Sequence, residues 1–270
     1  MQAATMMLFV FFPLLLVALA ALMATLLVRE AFAAPLTKRR KAAGGISLPL
    51  LAGDGLRGWA SELAQRVVGA HVANRANRQA AVALAQEVEA EASQVIERSL
   101  PSAAVVREPE CSDSSPQTIL VTVPETLAIV EELQQHASPH ELRRVRERAR
   151  RNLEQMSKAL AEAGAATVCP LLTDDHRCAI FAARPLSCRG RCCPNCDPPG
   201  EDGAMAEGQT PRLFAVTFGE GISAGLSQGL TNAGLDGRAY ELNRALVQAL
   251  EAPDAADRWL RGEAVFEACH

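Results

Sequence analysis

Apolar residues recur at helical spacing in several stretches of the chain, and one stretch near its start is apolar throughout. Met7–Val28 contains 22 residues without a charge, and a helix of that length would span about 33 Å, enough for a bilayer core. Trp59–Leu100 is alanine-rich, free of proline and studded with Glu, Gln and Arg. This pattern predicts one or two long helices. Their partial apolar stripe consists of Leu84, Val88, Val95 and Ile96.

Two later helices have clear start signals. Thr122–Glu125 opens one, with Leu127, Ile129, Val130 and Leu133 on its apolar face. Ser138–Glu141 opens the next with an N-cap Ser, a Pro at the first helical position and a Glu at the third, which is a capping box. Gly164 is expected to end that helix. Arginines and glutamates alternate along it, which favours a solvated, salt-bridged face.

The rest of the sequence predicts short secondary-structure elements. Leu213–Phe218 reads as one short strand, Tyr240–Leu250 as an amphipathic helix, and Asp254–Glu263 as a last short helix. Strands and helices do not alternate as in βαβ units, so the expected fold class is mainly α with at most a short strand. We expect four regions: a transmembrane anchor (1–30), a basic flank and flexible linker (31–57), an Ala-rich helical spacer (58–101) and a small Cys-rich domain (102–270).

The apolar stretch is predicted to be a single membrane anchor. A cleaved signal peptide is the alternative, because Ala31–Ala33 resembles a cleavage site, but Met1–Met6 lacks the basic residues that such a peptide carries. Lys38–Lys41 follows the span and nothing basic precedes it. The positive-inside rule therefore predicts a single-pass protein of the inner or cell membrane with its C-terminal part in the cytoplasm.

Charge and aromatic content exclude some partners. Lys plus Arg number 27 and Asp plus Glu 31, for a net charge of −4, whereas a nucleic-acid-binding surface is concentrated and basic. Aromatic residues make up only 4% of the chain, which disfavours stacking on bases. We expect the membrane as a partner and no nucleic acid. The Ala-rich stretch could also pair with a helix of an unknown protein as a coiled coil, although packing on its own domain is favoured.

Cysteine is the most informative residue type, because six of the eight cysteines fall within residues 169–196. A cytoplasmic protein keeps its thiols reduced, so the cluster favours metal ligation over disulfides. Thiolates favour zinc or iron, the latter also as an iron–sulfur cluster, over hard ions such as magnesium. The candidate metal ligands are Cys111, Cys169, Cys178, Cys188, Cys192, Cys193 and Cys196.

Spacing adds two expectations. Cys193 and Cys196 form the one pair that could chelate an ion from a single tight turn, whereas the gaps of eight and nine residues between the earlier thiols need structured turns to converge. Arginines among the thiols offset the negative charge of a thiolate site. They are Arg177, Arg184, Arg189 and Arg191. His176 could also coordinate, but a turn role beside two aspartates is favoured.

The stretch CPLLTDDHRCAIFAARPLSCRG, from Cys169 to Gly190, resembles the core motif of the YkgJ-type cysteine-cluster family, described as zinc- or iron-chelating. The resemblance includes Cys-Pro and two hydrophobic residues, Cys178 with Ile180 and Phe181, the Arg184-Pro185 step, and Cys188-Arg189. Similar flanks extend it over roughly Val105–Phe266. It implies a small helical domain that binds zinc or iron through its thiols.

One departure from the family concerns its second cysteine group, Cys-x-x-Cys-Cys, which lies just before the VTVPE-like segment. Here the group reads Cys111 with Ser114 and Ser115 at the other two positions. Serine hydroxyls stay protonated at neutral pH and are poor ligands for zinc or iron. Ligation by Cys169, Cys178 and Cys188 with Cys111 or a later thiol, and loss of the ancestral site, both stay open.

The expected function is that of a membrane-anchored, thiolate metal-binding protein without identified catalysis. No nucleophile elbow, phosphate loop or Rossmann glycine pattern is present. Two alternatives stay open. The flagellin lysine methylase carries a related Cys-rich domain, which leaves a protein-modifying enzyme possible, and a reversed topology would give an extracytoplasmic domain held by disulfides.

Overall fold

The Ala-rich stretch forms two helices, α1 (Asp54–Val72) and α2 (Arg78–Ser99). The structure is a computed structural model of the protein, and it describes residues 53–72, 77–100, 118–159, 168–189 and 211–267. The side chain of Asn77 caps α2 by accepting a hydrogen bond from the Ala80 N–H over 3.1 Å. The predicted stripe at Leu84, Val88, Val95 and Ile96 is buried, which confirms that part of the sequence analysis.

Strand β1 (Leu120–Val121) leads directly into helix α3 (Val123–His136), and α4 (Pro139–Ala159) follows after two residues. Both start where the sequence predicts. At the start of α4 the Ser138 N–H donates to the Glu141 carboxylate over 2.8 Å, and the Glu141 N–H donates back to the Ser138 hydroxyl over 3.3 Å. The predicted capping box is therefore confirmed.

Residues 168–189, called the cysteine segment below, connect α4 to the second half of the fold with little regular structure. They contain a single 3-10 turn (Phe181–Ala183) and the one-turn helix α5 (Leu186–Arg189). A segment of this length without long elements needs other bonds to hold it in place, and these come from the surrounding helices.

Helix α6 (Pro211–Asn232) replaces the short strand that we expected at Leu213–Phe218. That expectation was wrong because the apolar residues here recur every four positions, as on one face of a helix, rather than every second position. They are Phe214, Phe218, Ile222, Leu226 and Leu230, and all are buried. Interspersed glycines, which lower helix propensity, hid this pattern.

Strand β2 (Tyr240–Glu241) pairs antiparallel with β1, with Leu120 opposite Glu241. Helix α7 (Leu242–Glu251) follows at once, and α8 (Ala255–Leu260) comes last. The carboxylate of Glu241 caps α7 by accepting from the Asn243 and Arg244 N–H groups, each over 3.0 Å. The described chain is thus mainly helical with one two-stranded sheet.

A single apolar core joins the early helices to the late ones. It includes Leu56 and Ala60 of α1, Val88 of α2, and Phe218 and Leu246 from α6 and α7. The Ala-rich helices therefore belong to the same core as the helices after the cysteine segment. All described residues fall within one compact unit, Leu48–His270.

Helices α1 and α6 lie so close together that glycine is required between them. A Cβ at Gly225 would overlap the carbonyl oxygen of Ser61, and one at Gly229 would lie 3.0 Å from the Cβ of Val68. Gly221 is similarly confined against Arg57. Three glycines at four-residue intervals thus form a smooth strip along which the two helices touch.

Several predicted features lie outside the described residues. They are the anchor at residues 7–28, the basic flank at residues 38–41, the cleavage-site alternative and the helix stop at Gly164. Within the parts of the chain that the structure describes, none of the helices combines the length and the apolar character needed to cross a bilayer.

Candidate functional site

Three of the seven candidate thiols lie on the cysteine segment. Cys169, Cys178 and Cys188 are each half-buried, and the first two pack against the edge of the apolar core. The other four candidates lie outside the described residues. They are Cys111, Cys192, Cys193 and Cys196.

The chain reverses direction between the first two thiols. The Leu172 N–H donates to the Cys169 carbonyl over 3.3 Å, and the Ala179 N–H donates to the Leu171 carbonyl over 2.9 Å. Leu172 and Cys178 form an isolated antiparallel bridge. The eight-residue gap is therefore a structured reversal, and it returns Cys178 to a position beside Leu172, three residues after Cys169.

A tight turn closes the tip of this reversal. The Thr173 N–H donates to the Arg177 carbonyl over 2.8 Å, and the Arg177 N–H donates to the Thr173 hydroxyl over 3.0 Å. His176 has a φ of 59°, in the left-handed region. Its N–H donates to the Thr173 carbonyl over 3.2 Å, so His176 has the turn role that the sequence favours.

Two arginines of α4 hold the same turn from outside. Arg144 forms a two-pronged ion pair with Asp174, and Arg148 donates to the carbonyl oxygen of Leu172. The hydrogen bond from Arg144 holds the pKa of Asp174 below its ordinary value. The arginine face of α4 is thus salt-bridged, as expected, but its partners here are on the cysteine segment rather than on α4 itself.

Buried amides hold the chain next to Cys169. The Asn152 side chain, on α4, donates to the Val168 carbonyl and to the Asn243 side-chain oxygen, each over 2.8 Å. Asn243 in turn donates to the Glu241 carboxylate over 2.6 Å. A chain of hydrogen bonds thereby connects the first thiol position to the N-terminus of α7.

Glu125 of α3 holds the start of the helix that carries Cys188. One of its carboxylate oxygens accepts from the Leu186 N–H over 3.0 Å. The other accepts from the N–H and the hydroxyl of Thr122, each over 2.8 Å. Burial raises the pKa of Glu125, and these backbone hydrogen bonds act in the opposite direction.

Arg189 holds the end of the same helix with four hydrogen bonds. Its Nε donates to the Arg184 carbonyl over 2.9 Å, and Nη2 donates to the Ala182 carbonyl over 2.6 Å. Nη1 donates to the Ser93 hydroxyl over 2.7 Å, and Nη2 also meets the Glu89 carboxylate at 3.2 Å. The guanidinium therefore ties the cysteine segment both to itself and to α2.

Glu89 is an unusual residue for the middle of an Ala-rich helix, since it is only 2% exposed. Burial raises its pKa to about 8, against the opposing effect of Arg189. Among the described residues its second carboxylate oxygen, Oε1, has no hydrogen-bond partner. Burial of the carboxyl thus favours its protonated form, whereas the neighbouring guanidinium favours the ionised form.

The described thiols alone do not make a complete metal site. No three His, Cys, Asp or Glu side chains in the described ranges form a group that could hold a metal ion. Cys169, Cys178 and Cys188 are thus not brought together as a three-ligand set. The donor chemistry fits a soft metal ion, and a full set of ligands would have to include thiols outside the described residues.

The thiols are predictable from the sequence, whereas most of the residues that hold their segment in place were not predicted. Arg189 was noted for its charge and as part of the Cys188-Arg189 step of the motif, and Glu125 only as a helix-start residue. The polar residues of α2, α4 and α7 were not singled out. They are Glu89, Ser93, Asn152 and Asn243. A buried-face Glu within an otherwise apolar stripe is a detectable signal, because charged residues are rarely buried without a partner.

Comparison with known proteins found no similar protein. No protein-family model matches the chain, and no curated protein or solved structure matches it. The resemblance to the YkgJ-type family therefore stays a prediction that rests on the motif alone.

Proposed function

We propose that this protein binds zinc or iron through cysteine thiolates and that it is held at a membrane by its N-terminal segment. The observation that carries the proposal is the way the cysteine segment is held. Side chains of α3 and α4 bond to its backbone close to Cys188 and Cys169, and Ser93 of α2 accepts a hydrogen bond from the Arg189 side chain. Such outer-shell bonds fix the ligands of protein metal sites.

The proposed ligands are drawn from Cys169, Cys178 and Cys188, which do not form a three-ligand group within the described residues, and from the thiols outside those residues. Those are Cys111, Cys192, Cys193 and Cys196. Soft thiolates select zinc or iron, as a single ion or an iron–sulfur cluster, over hard ions. Arg184 and Arg189 supply positive charge that offsets a site of several thiolates.

The proposed role is to hold the metal rather than to catalyse a reaction. When bound, the ion would supply cross-links among distant parts of the chain. The chain itself supplies a segment with a fixed backbone, which lowers the conformational entropy lost when thiolates gather around an ion. A protein-modifying activity is the alternative, and a methyl-donor cofactor that binds in a calorimetric titration would favour it.

Membrane attachment is a second part of the proposal. The uncharged stretch at residues 7–28 would form the anchor, and the basic residues 38–41 would keep the cysteine segment on the reducing, cytoplasmic side. Reporter fusions made after residue 45 test this orientation. A signal from the extracytoplasmic side would contradict it and favour the disulfide alternative.

Metal analysis of the full chain tests the metal site. The protein is purified in detergent under anaerobic conditions, and its zinc and iron content and absorption spectrum are measured. Zinc gives a colourless protein with about one equivalent of metal, whereas an iron–sulfur cluster gives a coloured one. The Cys169→Ser variant, with Cys269→Ser as a control outside the proposed ligand set, is expected to lose the metal. Less than about 0.2 equivalents of zinc plus iron in the unaltered protein would overturn the proposal.

A further inference from the structure

We propose that a cleft between α3, α4 and the cysteine segment binds a small zwitterion of the amino-acid class. In this proposal the carboxylate of the ligand bonds to Arg148, its ammonium group bonds to Glu132, and its apolar side chain lies on Leu133 and Val145. The cleft is built wholly from described residues. The inference uses none of the thiols, so it holds or fails independently of the proposed metal site.

The cleft lies where the end of α3, the first half of α4 and the turn at residues 173–177 meet, and its volume is about 320 Å³. Its innermost lining is apolar, because Leu133, Val145 and Pro170 are all buried. Ligand pockets begin at about 300 Å³ and combine an apolar lining with a few polar groups. A cleft of this volume therefore suits a compact metabolite rather than a nucleotide.

Most of the charged groups that line the cleft are already engaged. Four carboxylates, two guanidinium groups and one imidazole line it. Arg144 forms the two-pronged ion pair with Asp174. Asp175 lies 3.5 Å from Arg177, and Glu141 caps the start of α4. These groups fix the walls of the cleft, and the charges of Arg148 and Glu132 are left for a ligand.

Arg148 presents a positive charge to the cleft. Its guanidinium donates to the carbonyl oxygen of Leu172, a neutral acceptor that occupies one of five N–H groups. The hydrogen bond from Arg144 is the main cause that lowers the pKa of Asp174, and the charge of Arg148 lowers it further. Two guanidinium groups therefore meet the Asp174 carboxylate at this end of the cleft. A second carboxylate, supplied by the ligand, would balance them.

Glu132 presents a negative charge from the neighbouring helix α3. Its side chain is 24% exposed, and its carboxylate lies 3.4 Å from Nδ1 of His136, one turn later on the same helix. The same ring nitrogen lies 3.2 Å from the Glu132 carbonyl oxygen, so the contact with the carboxylate is shared. A carboxylate that is partly removed from water gains from a full positive partner. An ammonium group in the cleft would supply that partner.

The two charges together select a ligand that carries both signs. A carboxylate fits the planar fork of a guanidinium, and an ammonium group fits a carboxylate. A ligand with only one of these charges would shield the other cleft charge from water without pairing it, which costs free energy. A zwitterion with an apolar side chain pairs both charges and covers the apolar lining.

Three compounds of nearly the same shape test the proposal on the full-length protein in detergent. Leucine has both charges, leucinamide lacks the carboxylate, and N-acetyl-leucine lacks the ammonium group. Ligand-observed NMR titrations measure the binding of each. We expect leucine to bind most tightly and the other two to bind about 10- to 100-fold more weakly, as loss of one charged hydrogen-bonded pair implies.

Two variants assign the two charges. Arg148→Gln should remove the preference for leucine over leucinamide, because the group that recognises the carboxylate is gone. Glu132→Gln should likewise remove the preference for leucine over N-acetyl-leucine. A variant that only disturbed the fold would weaken all three compounds alike, so the ratio of affinities is the readout. Arg143→Gln and Glu147→Gln, at exposed positions of α4 outside the cleft, should leave both ratios unchanged.

The other outcomes overturn the inference. Leucinamide that binds as tightly as leucine would indicate a site for organic cations, and N-acetyl-leucine that does so would indicate a site for anions. Absence of binding by all three compounds would leave the cleft without a zwitterion to hold. Unaltered ratios in both Arg148→Gln and Glu132→Gln would place the ligand elsewhere. Metal analysis of the unaltered protein decides the proposed function separately.

Discussion

The cysteine segment is held by a set of polar contacts that the interface between α1 and α6 lacks among those described above. Along α1 and α6, three glycines let two helix backbones touch, and the surrounding side chains are apolar. The cysteine segment also contributes Leu171, Ile180 and Leu186 to the core. In addition, buried or half-buried polar groups on four helices bond to it directly or through one another. They are Glu89 and Ser93 on α2, Glu125 on α3, Asn152 on α4 and Asn243 on α7.

The difference matters because apolar burial and hydrogen bonds constrain a chain in different ways. Apolar burial is the larger source of stability but has no preferred direction, whereas hydrogen bonds have narrow angular limits and lose most of their energy when bent. The helix pair therefore needs only a close fit. The cysteine segment is fixed residue by residue, which is what side chains with a defined orientation require.

The strongest way to break the helix pair is to add one methyl group. Gly225→Ala places a Cβ against the Ser61 carbonyl, so α1 must move away along its length. We expect a loss of about 3 kcal/mol in the free energy of unfolding, at the upper end of overpacking effects. Urea denaturation followed by circular dichroism measures it.

Gly58→Ala is the matched control, since it makes the same change on an open face of α1, where a Cβ meets nothing within 4 Å. It should stabilise the protein by about 0.5–1 kcal/mol because alanine favours helix. Equal effects of the two substitutions would contradict the close approach.

The next largest effect concerns Glu89 and is a dependence on pH. Its pKa rises from an ordinary 4.5 to about 8 on folding, so the folded chain keeps a proton that the unfolded chain releases between these values. The contribution of Glu89 to stability should therefore be fully present below about pH 4.5 and fall by a few kcal/mol as the pH rises towards 8. Arg189, Arg184 and Glu125 are the charged groups that act on Glu89.

Glu89→Gln keeps a neutral side chain of the same shape and should flatten this dependence. Urea denaturation of both proteins across the same pH range measures the difference, and the contribution of Glu125 cancels because both proteins contain it. Parallel curves for the two proteins would show that Glu89 is ionised in the fold.

A smaller effect is expected when the hydrogen bonds of Asn152 beside Cys169 are removed. Asn152→Ala removes the donor to the Val168 carbonyl and to Asn243. The expected loss is about 1–3 kcal/mol, because buried acceptors are left without a partner. Hydrogen exchange read by mass spectrometry should show faster exchange within residues 168–179, and Gln155→Ala on the exposed side of α4 should not.

The smallest effect is expected at the surface. Arg144→Ala breaks the ion pair with Asp174, and exposed ion pairs contribute little. We expect no measurable shift in the melting temperature at moderate salt. A clear loss would show that the turn at residues 173–177 depends on its charges and not on its backbone bonds.

The sequence predicts the fold best where a few consecutive residues contain all the information that determines an element. The starts of α3 and α4 follow from Thr122–Glu125 and Ser138–Glu141, because a capping box needs only four residues. Helix α6 was missed because its glycines argue against helix locally. They are explained only by the approach of α1, which lies about 160 residues earlier in the chain.

In the candidate site, too, some residues can be predicted from the sequence and others cannot. The thiols and their arginines can be read from the sequence, since residue type and spacing are local. The partners of Arg189 cannot, because Glu89 and Ser93 lie on a helix far away in the chain, and a single sequence does not show which helices meet. All seven ligand candidates stay predictions.

The shared core has a practical consequence for dissecting this protein. A fragment that starts at residue 102, where the sequence suggests a domain boundary, would lack the binding surface that α1 offers to α6 and both α2 partners of Arg189. Such a fragment would expose a long apolar groove to solvent and would be prone to aggregate. Limited proteolysis should accordingly yield a stable product that retains α1 and α2.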